Sequence, residues 1–138
     1  MMLNVIAALL LTFTSIDVRD PVVHGVMADL LHHARFGMSN TEEAAFLIRN
    51  SAGATFFLRW RSDGELNQAT WNGPIPTGTV AILHTHPIYL PLPSNRDIRV
   101  AREAAIPVYV ITRNRIERTD GDKPVVVVAG DWSGLRPD

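Results

Sequence analysis

The chain is organised around the stretch TVAILHTHPIYLPLPSNRD, residues 79–97. Its first part, Thr79 to Leu83, is apolar and rich in β-branched residues, which indicates a strand buried on both faces. His84 and His86 follow two residues apart, and alternate residues of a strand point to the same face. The two imidazoles can therefore converge on one metal ion, at the end where Pro87 stops the strand.

The second part of this stretch supplies a third candidate ligand and a hydroxyl group. Residues 88–93 form an apolar loop whose two prolines restrict its course. Ser94 and Asp97 then form a Ser-x-x-Asp pattern, which is close to a capping box with the serine at the N-cap of a helix. A catalytic zinc ion typically takes three protein ligands and leaves a fourth position for water. The residue types and spacing therefore predict His84, His86 and Asp97 as metal ligands.

The combined pattern of His-x-His-Pro, a run to Pro93 and Ser-x-x-Asp resembles the JAMM motif of the JAB1/MPN/Mov34 metalloprotease family at every motif position. The resemblance covers roughly residues 21–116. It implies that the three predicted ligands bind zinc and that the Ser94 hydroxyl helps to hold the developing oxyanion. It also implies an upstream glutamate that acts on the water molecule of the metal. The fold it implies is a single-domain, small prokaryotic-like α/β structure, with a mixed β-sheet flanked by helices in a cytidine-deaminase-like arrangement.

Two adjacent glutamates are candidates for the residue that acts on the water. Glu42 and Glu43 stand directly before the apolar run from Ala44 to Ile48. Because strand alternation points them to opposite faces, only one of them can face the metal, and this argument leaves both open. In the family pattern the glutamate directly precedes a small, small, apolar, apolar run. The resemblance therefore favours Glu43, with Glu42 in reserve.

The length of 138 residues and a hydrophobic content of 46% are typical of one compact domain. We assign this domain to residues 20–138. Asp20 and Pro21 predict the start of a helix that runs towards Gly37, and a second helix follows Ser94. Because strands outnumber helices, we expect a mixed sheet, and we expect the polar tail from Gly130 to be loose. Besides the strand that begins at Thr79, strands are predicted at 43–48, 54–61, 66–71, 108–112 and 125–128.

The segment of residues 1–19 has an ambiguous role. Val5 to Phe13 is apolar and has the length of the hydrophobic region of a signal peptide, but it is too short to span a bilayer. No basic residue precedes Arg19. We interpret the segment as an export signal because the domain that bears the motif is complete without it. The alternative is a cytoplasmic protein in which the same residues form a buried first element.

Several other chemistries are disfavoured by the composition. Thirteen basic and fourteen acidic residues give a net charge of -1, so no broad basic field is available for nucleic acid. The chain has no cysteine for a nucleophile, a disulfide or a thiolate ligand. A Ser-His-Asp triad is a poorer fit, because its serine would be Ser94, at a capping position. We interpret Trp60, Trp71 and Trp132 as packing residues, since nothing in the sequence places them together.

The sequence thus predicts a zinc-dependent hydrolase that cleaves a peptide or isopeptide bond with metal-activated water. A protein or peptide is the expected substrate, with ubiquitin-like proteins among the candidates. The alternative is a noncatalytic JAB-like module that binds a protein partner, but such a module has no physical need for the complete motif. The predicted site comprises two catalytic residues, Glu43 and Ser94, and three zinc ligands, His84, His86 and Asp97.

Overall fold

A computed structural model describes residues 16–39, 42–61, 71 and 73–135. This part of the chain forms two α-helices, six strands and a short 3-10 helix, Arg35–Gly37. In chain order the main elements are α1 (Pro21–His33), β1 (Glu43–Arg49), β2 (Thr55–Arg61), β3 (Thr79–Thr85), α2 (Asn95–Ala104), β4 (Val108–Ile111), β5 (Arg115–Thr119) and β6 (Val125–Ala129).

The six strands form one sheet in the order β2-β1-β3-β4-β5-β6. β3 and β4 are parallel, and the other neighbouring strands are antiparallel. The connection from β3 to β4 contains α2, because parallel neighbours need a crossover that returns the chain to the same end of the sheet. The predicted mixed α/β fold is therefore confirmed.

The two helices cover opposite faces of the sheet. Leu30 of α1 belongs to a core cluster with Leu47 of β1 and Leu83 of β3. Ala101 of α2 belongs to a second cluster with Phe46, the neighbour of Leu47 on β1. Because successive strand residues point to opposite faces, β1 and β3 are buried on both sides, and this burial explains their continuous apolar runs.

The first helix begins as predicted and ends earlier. The Asp20 carboxylate accepts hydrogen bonds from two backbone N–H groups of the first turn, and Pro21 is the first helical residue. The predicted continuation to Gly37 is wrong, because α1 ends at His33. The backbone reason is a run of positive φ angles at residues 35–37, of 53°, 57° and 81°, which a right-handed helix does not allow.

Residues near both ends of the described part of the chain pack into the core. Ile16 and Val18, which precede Asp20, are buried with the residues of α1. Near the other end, the Trp132 indole N–H donates to the Thr112 carbonyl oxygen at 2.7 Å, and Leu135 packs against the same core. The expectation of a loose tail is wrong for residues 132–135.

Some sequence predictions fall outside the described residues. The structure does not describe residues 1–15, which contain most of the predicted export segment. It also does not describe residues 62–70, which belong to the region predicted as a turn and a strand. Trp71, the last residue of that predicted strand, is not in a strand. Within the described ranges, no helix has the length and the apolar character needed to cross a bilayer.

A close backbone approach positions the loop that follows β3. The Ile88 N–H donates to the Gly37 carbonyl oxygen at 3.2 Å. Gly37 has φ of +81°, and a Cβ atom added there would lie 2.8 Å from the Ile88 nitrogen. Because Ile88 stands two residues after His86, the 3-10 helix fixes the course of the chain beside the predicted metal ligands.

We expect Gly37→Ala to destabilise the protein more than Gly53→Ala. Gly53 has nearly the same φ, +83°, but an added Cβ would have nothing within 4 Å. Both variants therefore bear the strain of a left-handed residue, about 1–2 kcal/mol, and only Gly37→Ala adds a steric clash, of roughly 1–3 kcal/mol. Urea unfolding of both variants measures the difference. Equal losses of stability would contradict the contact between Gly37 and Ile88.

Candidate metal site

The end of β3 brings two imidazoles together. His84 and His86 are both buried, with 7% and 6% of their surface exposed. Strand alternation directs them to the face covered by α2, and their ring centroids lie 4.7 Å apart. The convergence that the His-x-His spacing predicted is therefore present in the structure.

The start of α2 places a carboxylate against both imidazoles. The Asp97 N–H donates to Ser94 Oγ at 3.1 Å, and the Ser94 N–H donates to Asp97 Oδ2 at 2.8 Å, so the predicted capping box is confirmed. Asp97 Oδ1 lies 3.1 Å from His84 Nε2, and Asp97 Oδ2 lies 3.3 Å from His86 Nε2. The hydrogen bonds that begin the helix also direct the carboxylate between the two rings.

Glu42 is the glutamate that reaches this cluster. β1 and β3 are antiparallel, with Ala44 opposite His84, so two residues further along Glu42 stands across from His86. The Glu42 carboxylate is buried, with Oε2 3.4 Å from His84 Nδ1 and Oε1 3.8 Å from His86 Nε2. The structure thus brings the reserve candidate, Glu42, together with the two histidines.

Glu43, the preferred candidate, lies on the other face of the sheet. Its backbone N–H donates to Thr85 Oγ1 at 3.0 Å, and its carboxylate lies 3.9 Å from an Arg59 guanidinium nitrogen. Strand alternation is the physical reason for the difference between the two glutamates. The run that follows them is buried on both faces, so hydrophobic periodicity did not reveal which face holds the two histidines.

Hydrogen bonds to the rings identify which nitrogens can bind a metal. His86 Nδ1 lies 2.8 Å from the Leu90 carbonyl oxygen. Because a carbonyl only accepts, Nδ1 carries the hydrogen, and in the neutral ring Nε2 keeps its lone pair. His84 Nδ1 faces Glu42 in the same way. Partners of this kind commonly orient metal-binding histidines, and here they leave both Nε2 atoms facing Asp97.

The spacing of these atoms fits a bound cation. Two ligands of a tetrahedral ion with bonds of about 2.0–2.1 Å lie roughly 3.3 Å apart, close to the distances from Asp97 to the two Nε2 atoms. His84 Nε2 is buried and has no hydrogen-bond partner among the described residues, although Asp97 Oδ1 lies 3.1 Å from it. A metal ion would satisfy this atom. The buried group of Glu42, His84 and His86 can itself hold a metal ion, and Asp97 adds a fourth candidate ligand.

The charges of the cluster depend strongly on one another. Burial lowers the pKa of His84, but the Asp97 and Glu42 carboxylates raise it more, to about 10. Burial raises the pKa of Asp97, but the charge and close approach of His84, the neighbouring His86 imidazole and the Ser94 backbone N–H bring it well below its usual range. Without a metal ion, a proton on His84 therefore supplies the positive charge that faces the carboxylates.

A cavity of about 480 Å³ opens at the cluster, and two tryptophans line it. The ring centroids of Phe46 and Trp60 are 4.1 Å apart, and those of Trp60 and Trp71 are 5.5 Å apart. The sequence placed neither tryptophan at the site. The strand register is the feature that brings Trp60 to the site, because Trp60 on β2 pairs with Ala44, and Ala44 pairs with His84. Trp132 packs with the α1 cluster on the opposite face.

No family model, curated protein or solved structure matches this chain. The resemblance to the JAMM motif therefore rests on the motif residues alone. The geometry of those residues is the basis for any assignment of function.

We expect the purified protein to bind one metal ion per chain with high affinity. His86→Ala and Asp97→Ala should each lose that ion, because each removes a ligand of a three-ligand set. His33→Ala is the matched control, since that exposed imidazole contacts Asp29 and lies outside the cluster. Elemental analysis after metal loading and dialysis gives the stoichiometry. Retention of the metal in both ligand variants would contradict the proposed ligand set.

We expect the metal affinity to rise with pH. The pKa of His84 near 10 means that its imidazole is protonated at neutral pH without metal, whereas a ligand nitrogen must be neutral. Metal binding should therefore release one proton from His84, and affinity should increase by about tenfold per pH unit between about pH 6 and 8. Competition with a chelator of known proton affinity measures this slope. A flat profile would contradict a protonated His84.

Proposed function

We propose that this protein is a zinc-dependent hydrolase that cleaves a peptide or isopeptide amide bond, and that its domain is a small JAB/MPN-like one. The observation that carries the proposal is the position of the Asp97 carboxylate, which lies within 3.3 Å of Nε2 of both His84 and His86. The Glu42 carboxylate lies beside the same two imidazoles, but its oxygen atoms are farther from them than those of Asp97.

The donor set favours zinc over the hard divalent cations. Two imidazole nitrogens and one carboxylate are typical of catalytic zinc sites, whereas calcium and magnesium prefer sites built of oxygen atoms. A site with three protein ligands also leaves one tetrahedral position for water. When bound, zinc supplies a Lewis acid that polarises a carbonyl group and lowers the pKa of a water molecule to about 7.

We assign the role of general base to Glu42 and the role of ligand to Asp97. The Asp97 oxygens lie 3.1 and 3.3 Å from the Nε2 atoms, whereas the Glu42 oxygen nearest to His86 Nε2 is 3.8 Å away. Glu42 accepts a proton from the attacking water as its hydroxide adds to the amide carbon. When the carbon–nitrogen bond breaks, Glu42 returns that proton to the leaving amine, so the water is divided between the two products.

Ser94 is the candidate donor to the oxyanion. Its hydroxyl oxygen accepts the Asp97 N–H, which uses one lone pair and leaves the O–H able to donate. Ser94 also lines the cavity that contains the cluster. Donation to the substrate carbonyl oxygen would stabilise the negative charge that forms there, and loss of one such donor typically costs about 10²-fold in rate.

The rim of the site fits a protein or peptide substrate. The loop after His86 exposes Tyr89 and Leu92, with 59% and 56% of their surface accessible. Leu90 from the same loop lines the cavity and holds the His86 ring through its carbonyl group. Exposed apolar side chains beside a cleft are typical of surfaces that bind polypeptide.

Glu42→Gln and Glu43→Gln form a matched pair that tests the proposal. We expect Glu42→Gln to retain zinc and to lose at least about 100-fold in rate, because its amide cannot accept a proton. Glu43→Gln should remain close to the wild-type rate, since its side chain lies on the opposite face. The rates are measured by mass spectrometry of new amino termini in a peptide library and by cleavage of a lysine-linked ubiquitin dimer.

Three results would count against this assignment. Equal losses of activity in the two variants would place the effect outside the site. Loss of zinc from Glu42→Gln would make Glu42 a ligand instead of the base. A zinc-loaded wild-type protein that cleaves neither probe would overturn the hydrolase and favour a noncatalytic module that binds a protein partner.

A further inference from the structure

We infer that the cavity beside the proposed metal ligands binds a large apolar side chain of the residue that supplies the carbonyl group of the scissile amide. The inference rests on the proposed function and narrows its substrate class. It predicts substrates with phenylalanine, leucine or a similar residue at this position, in preference to glycine.

The cavity has an aromatic wall built from separate parts of the chain. Phe46 from β1 and Trp60 from β2 are tilted against each other, and the Trp71 ring lies 5.0 Å from Phe46 in an edge-to-face contact. Ile82 from β3 and Val100 from α2 line the same cavity. This surface presents flat rings and branched aliphatic groups to whatever enters.

The apolar surface begins next to the metal ligands. Ile82 stands two residues before His84 on β3, which places it on the same face and roughly 6.6 Å further along the strand. An extended substrate rises by a similar amount over two residues. A peptide whose carbonyl group lies at the cluster can therefore place a neighbouring side chain against Ile82 and the aromatic wall.

Size and polarity favour an apolar occupant. The volume of about 480 Å³ lies within the usual range for ligand pockets, roughly 300–1,000 Å³. A glycine has no side chain to fill it and leaves the half-buried Trp60 and Trp71 against water. The charged residues of the lining are Glu42, Arg96 and Asp97, whereas Trp60, Trp71 and Val100 are uncharged, so a charged side chain placed against these three would lose its hydration. A large apolar group gains from contact with them.

The test compares two hydroxamates that bind zinc without being hydrolysed. N-acetylphenylalanine hydroxamate should bind the zinc-loaded wild-type protein roughly ten- to a hundredfold more tightly than N-acetylglycine hydroxamate, the range expected for burying one aromatic side chain. Calorimetric titration gives both dissociation constants.

Three variants locate the source of this preference. In Trp71→Ala, which removes part of the wall, the ratio of the two dissociation constants should fall to about threefold or less. Val100→Trp should fill the cavity and weaken only the phenylalanine compound. Trp132→Ala removes an indole that packs on the opposite face, and it should keep the wild-type ratio. Zinc content and circular dichroism are measured for every variant.

The possible results separate this inference from the proposed hydrolase. Equal affinities in the wild type, or a ratio unchanged in Trp71→Ala and Val100→Trp, would overturn the role of the cavity while the zinc content and peptide cleavage stand. A clear preference without any cleavage would support the cavity and overturn the hydrolase. A wild-type protein that binds neither zinc nor the hydroxamates would overturn both.

Discussion

The rest of the site depends on the antiparallel register of β1 and β3, in which Ala44 stands opposite His84. This register brings Glu42 to the two histidines and turns Glu43 away. A slip of one residue would move every side chain of β1 to the other face. The register is stabilised by burial on both sides, since Phe46 packs on the α2 face and Leu47 packs on the α1 face. A slip would therefore disrupt both clusters at once.

The cluster concentrates ionisable groups where water has little access. Two imidazoles and two carboxylates lie together, with between 7% and 13% of each side chain exposed. Buried charges are costly unless each faces an opposite charge or a hydrogen-bond partner. Here Asp97 receives the Ser94 N–H and His86 donates to Leu90. The two carboxylates still require a positive charge between them, and a proton or a metal cation can provide it.

Local signals in the sequence predicted the local structure well. The caps at Asp20 and Ser94 are present, and β3 carries the two histidines at its end as expected. These features depend on hydrogen bonds within a few residues or on the alternation of one strand, so short stretches of sequence contain the information that determines them.

Features that depend on pairing between distant strands were not predictable in the same way. The choice between Glu42 and Glu43 follows from a register that pairs residues up to 40 positions apart, as Ala44 and His84 are. The apolar run of β1 does not indicate which of its two faces lies on the side of the histidines, since both faces are buried. The early end of α1 was missed because it depends on left-handed residues that are not glycine, Arg35 and Phe36.

The capping box links the lifetime of a bound ion to the opening of a helix end. Ser94 and Asp97 hold the first turn of α2 together, and the same carboxylate contacts both imidazoles. Helix termini fray more readily than helix centres. In the proposed metal site, each fraying event at this end would withdraw Asp97 from the ion, and a bound ion would in turn resist fraying. The rate of metal exchange and the rate of amide hydrogen exchange in this turn are therefore expected to report the same local motion.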